Sequence, residues 1–270
     1  MKFGICNEVF EGWSIDDTIR FVAETGYDAI EIAPFTLAQY VTEIPVAERQ
    51  RIRGVAADNG IEVSAIHWVL IKTEGLYMTH TDAAIREKTS DYFCELVDCC
   101  ADLGGKAIVV GSPKLRNLLP GVSFEQAWEL ARETFAKSIK RAEDKGVTIC
   151  FEPLAPSETD FINTAEQAIE FVSQFESDAF KIILDVKAMS SETKPIPDII
   201  RDSHPNFAYF HCNDENLKGP GFGDVDFRPI FGALKEVGYD GVASVEVFDF
   251  EEGPETIARE SLRYMKEASA

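Results

Sequence analysis

Positive charge is scarce in this chain. Of 270 residues, 26 are Lys or Arg and 47 are Asp or Glu, giving a net charge of −21, and only four are His. So little basic surface argues against wrapping a polyanion or lying on an anionic membrane; neither nucleic acid nor membrane is an expected partner. No apolar run approaches the roughly 18 residues that a helical span needs. The first residues, MKFGICNEVF, lack the charged, apolar and cleavage segments of a signal peptide. The six cysteines (Cys6, Cys94, Cys99, Cys100, Cys150, Cys212) show neither paired CxxC spacing nor a small secreted framework. Reduced thiols in a cytoplasm are the expectation. No Pro/Ser-rich linker interrupts the chain, so residues 1–270 are expected to form a single domain.

What is present is a repeat of helix, glycine and strand. Apolar-periodic segments end at glycine and lead into GYDAIEI (from Gly26), GIEVSAI (Gly60), GGKAIVV (Gly104), GVTICFE (Gly146) and GYDGVASVE (Gly238). Glycine suits the left-handed residue just past a helix. The runs are nearly continuous in Ile, Val and Ala, as in strands buried on both faces of a parallel sheet. KFGIC, KIILDV and FAYFHCN complete about eight strands, and Ser14, Ser123 and Thr164 begin helices with capping-box spacing or nearly so. Alternating βα units demand parallel pairing with right-handed crossovers. A doubly wound sheet would carry a Gly-rich phosphate fingerprint after its first strand, where this chain has CNEVFEGW. The expected fold is therefore an α/β (β/α)8 barrel.

In a barrel, the C-terminal ends of the strands converge on one mouth. The last four strands end at Glu152, Asp185, His211 and Glu246. Burying one carboxylate there costs several kcal/mol unless something compensates; three carboxylates and an imidazole are most economically explained by one shared cation. The alternative, a carboxylate network bridged by Lys or Arg, finds only Lys187 close in sequence. An oxygen-rich set with one nitrogen favours Mn²⁺, Mg²⁺ or Co²⁺ and admits Zn²⁺. Glu152 and Glu246, at the ends of this arc, approach a small chelated substrate from separate directions. That suits isomerisation or epimerisation beside a carbonyl, through a cis-enediolate whose oxygens a divalent ion stabilises.

The length, strand order and FEP…LD…H…E ligand set resemble the xylose-isomerase-like TIM-barrel superfamily, closest to the sugar isomerase/epimerase branch that contains D-tagatose 3-epimerase. The resemblance covers essentially the whole chain. It implies an isomerase in which Glu152, Asp185, His211 and Glu246 bind one Mn²⁺-type ion and both glutamates serve as the acid/base pair. It further implies that Glu158 contacts substrate hydroxyls. Two positions depart from the ketose 3-epimerase pattern: Ala188 stands where a substrate-binding His is expected, and Leu217 where an Arg is expected. The substrate class shifts accordingly, from a free ketose towards a keto-glycoside, an inosose or an aryl-bearing sugar. A lyase or dehydratase using the same enolate is the neighbouring reaction. The DNA-repair endonuclease relatives need a multi-zinc cluster and a basic groove, which four histidines and this charge do not supply. Oligomers are common in such families, and a homo-oligomer fits, although no stretch identifies an interface.

Further residues belong to the expected mouth. His67 and Trp68 follow the third strand as substrate contacts, one to a hydroxyl and one by stacking. Glu31, ending the second strand, either orients metal ligands or caps a helix. After the fourth strand, Lys114 and Arg116 are two cations suited to a carboxylate or phosphate. Lys187 faces the same space. Gly219, Gly221 and Gly223 suggest a phosphate loop or a mobile lid, with Asp226 capping the helix behind it. Cys99 and Cys100 are read as packing residues.

Overall fold

A computed structural model describes all 270 residues. Eight strands pair in sequence order, all parallel, and close on themselves. They are β1 (Lys2–Cys6), β2 (Ala29–Ile32), β3 (Glu62–Ile66), β4 (Ala107–Val110), β5 (Thr148–Phe151), β6 (Phe180–Asp185), β7 (Phe207–Cys212) and β8 (Val242–Val245). Nine helices pack outside: α1 (Ile15–Thr25), α2 (Val46–Asp58), α3 (Ala83–Leu103), α4 (Phe124–Lys145), α5 (Ala165–Ser173), α6 (Val186–Ser190), α7 (Ile196–Ser203), α8 (Phe227–Glu236) and α9 (Pro254–Ala268). The (β/α)8 barrel expected from the repeat is the fold observed.

Local chemistry explains the boundaries. Ser123 opens α4 with a full capping box, its hydroxyl accepting from Gln126 N–H while the Gln126 side chain accepts from Ser123 N–H. Ser14 and Thr164 accept from the third residue of their helices without that return bond. Gly146 ends α4 at φ 64°, a conformation in which a Cβ would be strained.

The barrel interior is narrow. Ala29, Ala65, Ala107, Val109, Cys150, Ile183 and Tyr209 fill it, and the Tyr209 hydroxyl pairs with that of Ser64 at 2.7 Å. This plug is the floor on which the polar residues rest. A larger apolar layer lies between strands and helices. Phe135 of α4 is its clearest example, packing on Phe93, Phe151 and Phe180 with ring centroids 4.8, 5.9 and 5.2 Å away. Each such buried ring contributes roughly 1.5–3 kcal/mol relative to exposure. All six cysteines are free thiols, with Cys99 and Cys100 fully buried in packing roles as expected. No helix is long and apolar enough to cross a membrane.

Candidate metal centre and sugar site

Strand register brings the four expected residues together. Asp185 is paired with His211 across β6 and β7, while Glu152 and Glu246 are the residues that follow β5 and β8. One ligand atom from each of Glu152, Asp185, His211 and Glu246 lies within 4.8 Å of the others, and all four residues are buried. His211 Nδ1 stands 3.1 Å from Glu246 Oε2. Neither atom has a hydrogen-bond partner.

The opposite edge of the His211 ring explains its orientation. His211 Nε2 lies 3.1 and 3.2 Å from the two carboxylate oxygens of Glu31. Glu31 is fully buried at the end of β2 and also accepts from the Cys6 thiol. Glu31 holds the His211 ring and caps no helix; the nearest 3-10 turn, Pro34–Thr36, has no side-chain cap. Burial alone would raise the Glu31 carboxyl, but the His211 and His67 imidazoles outweigh it and hold it at about 2. Against the opposing effect of burial, Glu31 and Glu246 likewise raise the His211 imidazole well above its ordinary range, so without metal both ring nitrogens carry protons. An ionised Glu31 retains the one on Nε2, and the Nδ1 proton facing the carboxylates is the one a metal ion would displace, the arrangement found behind metal-binding histidines.

The carboxylates are themselves held. Asp185 accepts from Ala188 N–H with one oxygen and from the Asn213 amide with the other. The Asn213 carbonyl oxygen in turn accepts from Lys187 N–H. Glu246 accepts from the Trp68 indole at 2.9 Å. Glu152 lies across Gly111, where an added Cβ would stand 2.3 Å from its Oε2. Asn213 and Gly111 were not singled out in the sequence. Asn213 was legible only as the residue that continues FAYFHC, and Gly111 only as the glycine ending AIVVG.

Burial, reinforced by Glu246 and the other carboxylates, pushes Glu152 well up and Asp185 to about 6. A cluster in that condition takes up either protons or a cation. One buried imidazole nitrogen and a buried carboxylate oxygen, both unpartnered and facing one another, fit a divalent ion bound by nitrogen and oxygen.

Glu152 and Glu246 open onto a cavity of about 560 Å³. His67, Trp68, Glu158, Lys187 and Lys114 line it. The Glu158 carboxylate and Lys187 ammonium pair at 2.7 Å on its rim, with Lys187 4.3 Å above the Phe248 ring. His67 is fully buried, its Nε2 2.9 Å from Glu8 Oε2 and its Nδ1 3.3 Å from Glu31. Trp68 lines the cavity and its indole N–H is committed to Glu246. Glu8, on the 3-10 turn after β1, was not anticipated, because a carboxylate in a loop carries no sequence signal of burial.

One expected contact is corrected. Arg116 does not line the cavity; it is fully buried. Its guanidinium donates to the carbonyls of Glu152 (2.6 Å) and Ile162 (3.3 Å) and lies 4.8 Å from the centre of the Phe151 ring. The Glu152 carbonyl just after β5 and the Ile162 carbonyl in the loop before α5 both turn to Arg116, which donates to them from beneath Glu152. Ala188 and Leu217 likewise stay out of the cavity. Leu217 is exposed at φ 71°, and its carbonyl accepts from Phe248 and Asp249. In the glycine-rich loop the carboxylate of Asp214 sits against Gly223 and accepts from Val225 N–H. A carboxylate there disfavours a phosphate. Asp226 caps α8 as expected.

A family profile of xylose isomerase-like TIM barrels matches residues 19–268. The chain belongs to the xylose isomerase-like TIM barrel family. Within that family, D-psicose 3-epimerase of Agrobacterium fabrum is 29% identical over 258 residues, covering 92% of this chain and 85% of that one. The 3-dehydro-D-guloside 4-epimerase of Escherichia coli K12 is 23% identical over 283 residues, covering 98% and 99%. A crystal structure of D-psicose 3-epimerase in the presence of D-fructose shares the fold with a TM-score of 0.86 at 24% identity, over 100% of this chain and 99% of that one.

Proposed function

We propose that the protein is a divalent-metal-dependent sugar epimerase or isomerase that moves a proton at the carbon beside a carbonyl, through a cis-enediolate. The observation that carries this is the buried meeting of Glu152, Asp185, His211 and Glu246, with His211 Nδ1 and Glu246 Oε2 left unpartnered. Relatives named as 3-epimerases and a 4-epimerase of sugars support it.

When bound, a divalent ion supplies the positive charge that makes an enolate oxygen stable enough to form. Asp185 and His211, each fixed by a further buried group, would serve only to hold it. Mn²⁺ suits the donor set best, with Mg²⁺, Co²⁺ and Zn²⁺ as competitors. Glu152 and Glu246 have the second task. They enter from β5 and β8, and a sugar between them presents a different face to each carboxylate. One removes the proton and the other returns it, which inverts the carbon. Gly111 and Trp68 fix where those two carboxylates sit. The Glu158–Lys187 pair offers an acceptor and a donor to substrate hydroxyls at the rim. Six free thiols fit a reducing cytoplasm.

The test is deuterium uptake from D₂O into a panel of ketoses, inososes and keto-glycosides with Mn²⁺ present. Exchange at the carbon beside the carbonyl, abolished by Glu246→Gln, is expected. No exchange in any member, or exchange that survives Glu246→Gln, overturns the assignment. An unsaturated product with loss of a β-substituent would place the protein among the lyases instead.

A further inference from the structure

The cavity above the metal ligands has a neighbour. A second cavity of about 610 Å³ adjoins it, and Trp68, Lys72 and Phe248 line both. Each falls within the roughly 300–1,000 Å³ of small-molecule sites. The partition is built from strained backbone: Trp68 at φ 53° and Lys72 at φ 62° both occupy the left-handed region. Such conformations persist where surrounding structure enforces them and gather at ligand sites.

The second cavity has aromatic walls. Phe10, Trp13, Phe35 and Phe250 face it. Trp13 and Phe250 are 36% and 44% exposed, large apolar rings left open to solvent at its mouth. Trp13 is braced from behind by Phe10 and Phe21, with ring centroids 5.6 and 5.4 Å away. Glu8 also lines the cavity, only 8% exposed; its Oε2 meets His67, whereas its Oε1 is buried with no partner. The nearest polar side chains are engaged elsewhere. Asn7 and Thr36 bond each other and the backbone of Ala33. Braced aromatic faces beside an unpartnered carboxylate oxygen match a ring that is apolar on its face and carries hydroxyl donors on its edge, which describes a saccharide.

Resting on the proposed proton-transfer function, we infer that the substrate is a glycoside of two sugar rings. The keto ring occupies the cavity of the metal ligands. The second ring lies against Trp13 and Phe250, with a hydroxyl donating to Glu8 Oε1, and the link between the rings passes over the packed Trp68 and Phe248 rings that border both cavities. A free ketose would leave both the aromatic walls and Glu8 Oε1 without a partner.

The Mn²⁺-loaded protein is assayed for C–H exchange with three probes: a 3-keto-hexopyranosyl disaccharide, the matching 3-keto methyl glycoside, and the matching 3-keto p-nitrophenyl glycoside. Binding of each probe is measured by calorimetry on the same preparation. The disaccharide is expected to exceed the methyl glycoside at least about tenfold in kcat/KM and in affinity, the gain of one stacked ring with a hydrogen bond. In Trp13→Ala the ratio between the two is expected to fall towards one. Equal values for disaccharide and methyl glycoside, or a ratio untouched by Trp13→Ala, overturn the inference while leaving the proton-transfer function standing. A p-nitrophenyl glycoside preferred over the disaccharide overturns the choice of a hydroxylated ring. If no probe exchanges, and no ketose or inosose does either, the proposed function fails instead; in both cases the calorimetric ratio alone still supports or overturns the second subsite.

Discussion

His211 Nδ1 and Glu246 Oε2 face each other across 3.1 Å, both buried and both without a hydrogen-bond partner. The ring cannot turn to relieve this, because Glu31 holds its far nitrogen at 3.1 Å. An imidazole fixed on one edge by Glu31, with its other nitrogen among carboxylates, is placed to exchange a proton for a cation. The pH behaviour of the metal-free protein follows from the same crowding.

Asp185 is raised from 3.8 to about 6, chiefly by burial and then by Glu246. A carboxyl raised on folding stabilises the protein while protonated, and that contribution is lost as pH rises from about 4 through about 6. For this group, the metal-free protein should lose stability across that window. Protein saturated with Mn²⁺ should not, since the ion replaces the proton. Thermal melts at pH 4.5, 5.5 and 6.5, with EDTA or with Mn²⁺, check this. At 100 times Kd the ion should add about 2.7 kcal/mol, and the gap between the two curves should widen with pH. A gap independent of pH would contradict it.

Glu31→Gln keeps the shape of the side chain but removes the charge that fixes the His211 tautomer. Mn²⁺ affinity should fall about 10–100-fold, the usual cost of losing a group that orients a ligand. Calorimetric titration reads this directly. Unchanged affinity would mean that Glu31 only fills space.

Gly111→Ala tests the close approach on the other side of the site. Its Cβ would stand 2.3 Å from Glu152 Oε2, so the carboxylate must move while the strand remains. Circular dichroism should be preserved, with exchange activity down by about 100-fold, the loss that a displacement near 1 Å brings. Full activity would show that Glu152 has another position from which to work.

Much of this architecture was legible in the sequence. Glycines such as Gly26, Gly104 and Gly146 mark helix ends by a backbone need that few other residues meet, and apolar runs ending in a single acid or imidazole mark strand ends at a mouth. Glu152, Asp185, His211 and Glu246 were found that way, and so was the position of Glu31. What hid was whatever depends on direction. Arg116 and Lys114 lie two residues apart on one turn, yet Lys114 lines the cavity and Arg116 points beneath β5. Glu8 sits on a 3-10 turn whose burial has no periodic signature, and Trp68 declares its indole bond to Glu246, 178 residues away, only once the barrel closes.

Arg116→Leu separates its observed structural role from substrate binding. It strips the donor from the Glu152 carbonyl, which costs about 1–3 kcal/mol when left buried and unpaired, while the Ile162 carbonyl keeps its bond from Leu154 N–H. The urea midpoint should fall accordingly. A raised KM with an unchanged midpoint would return Arg116 to the substrate.

The proposed chemistry depends most on one ion held by four residues. Metal-free protein is titrated with Mn²⁺ and the bound ion counted by its paramagnetic resonance signal, in the wild type and in Asp185→Asn and His211→Ala. One tightly held Mn²⁺ per chain, weakened by at least about tenfold in each variant, is the predicted result. Saturation with no bound Mn²⁺, or a bound ion indifferent to both substitutions, would contradict it.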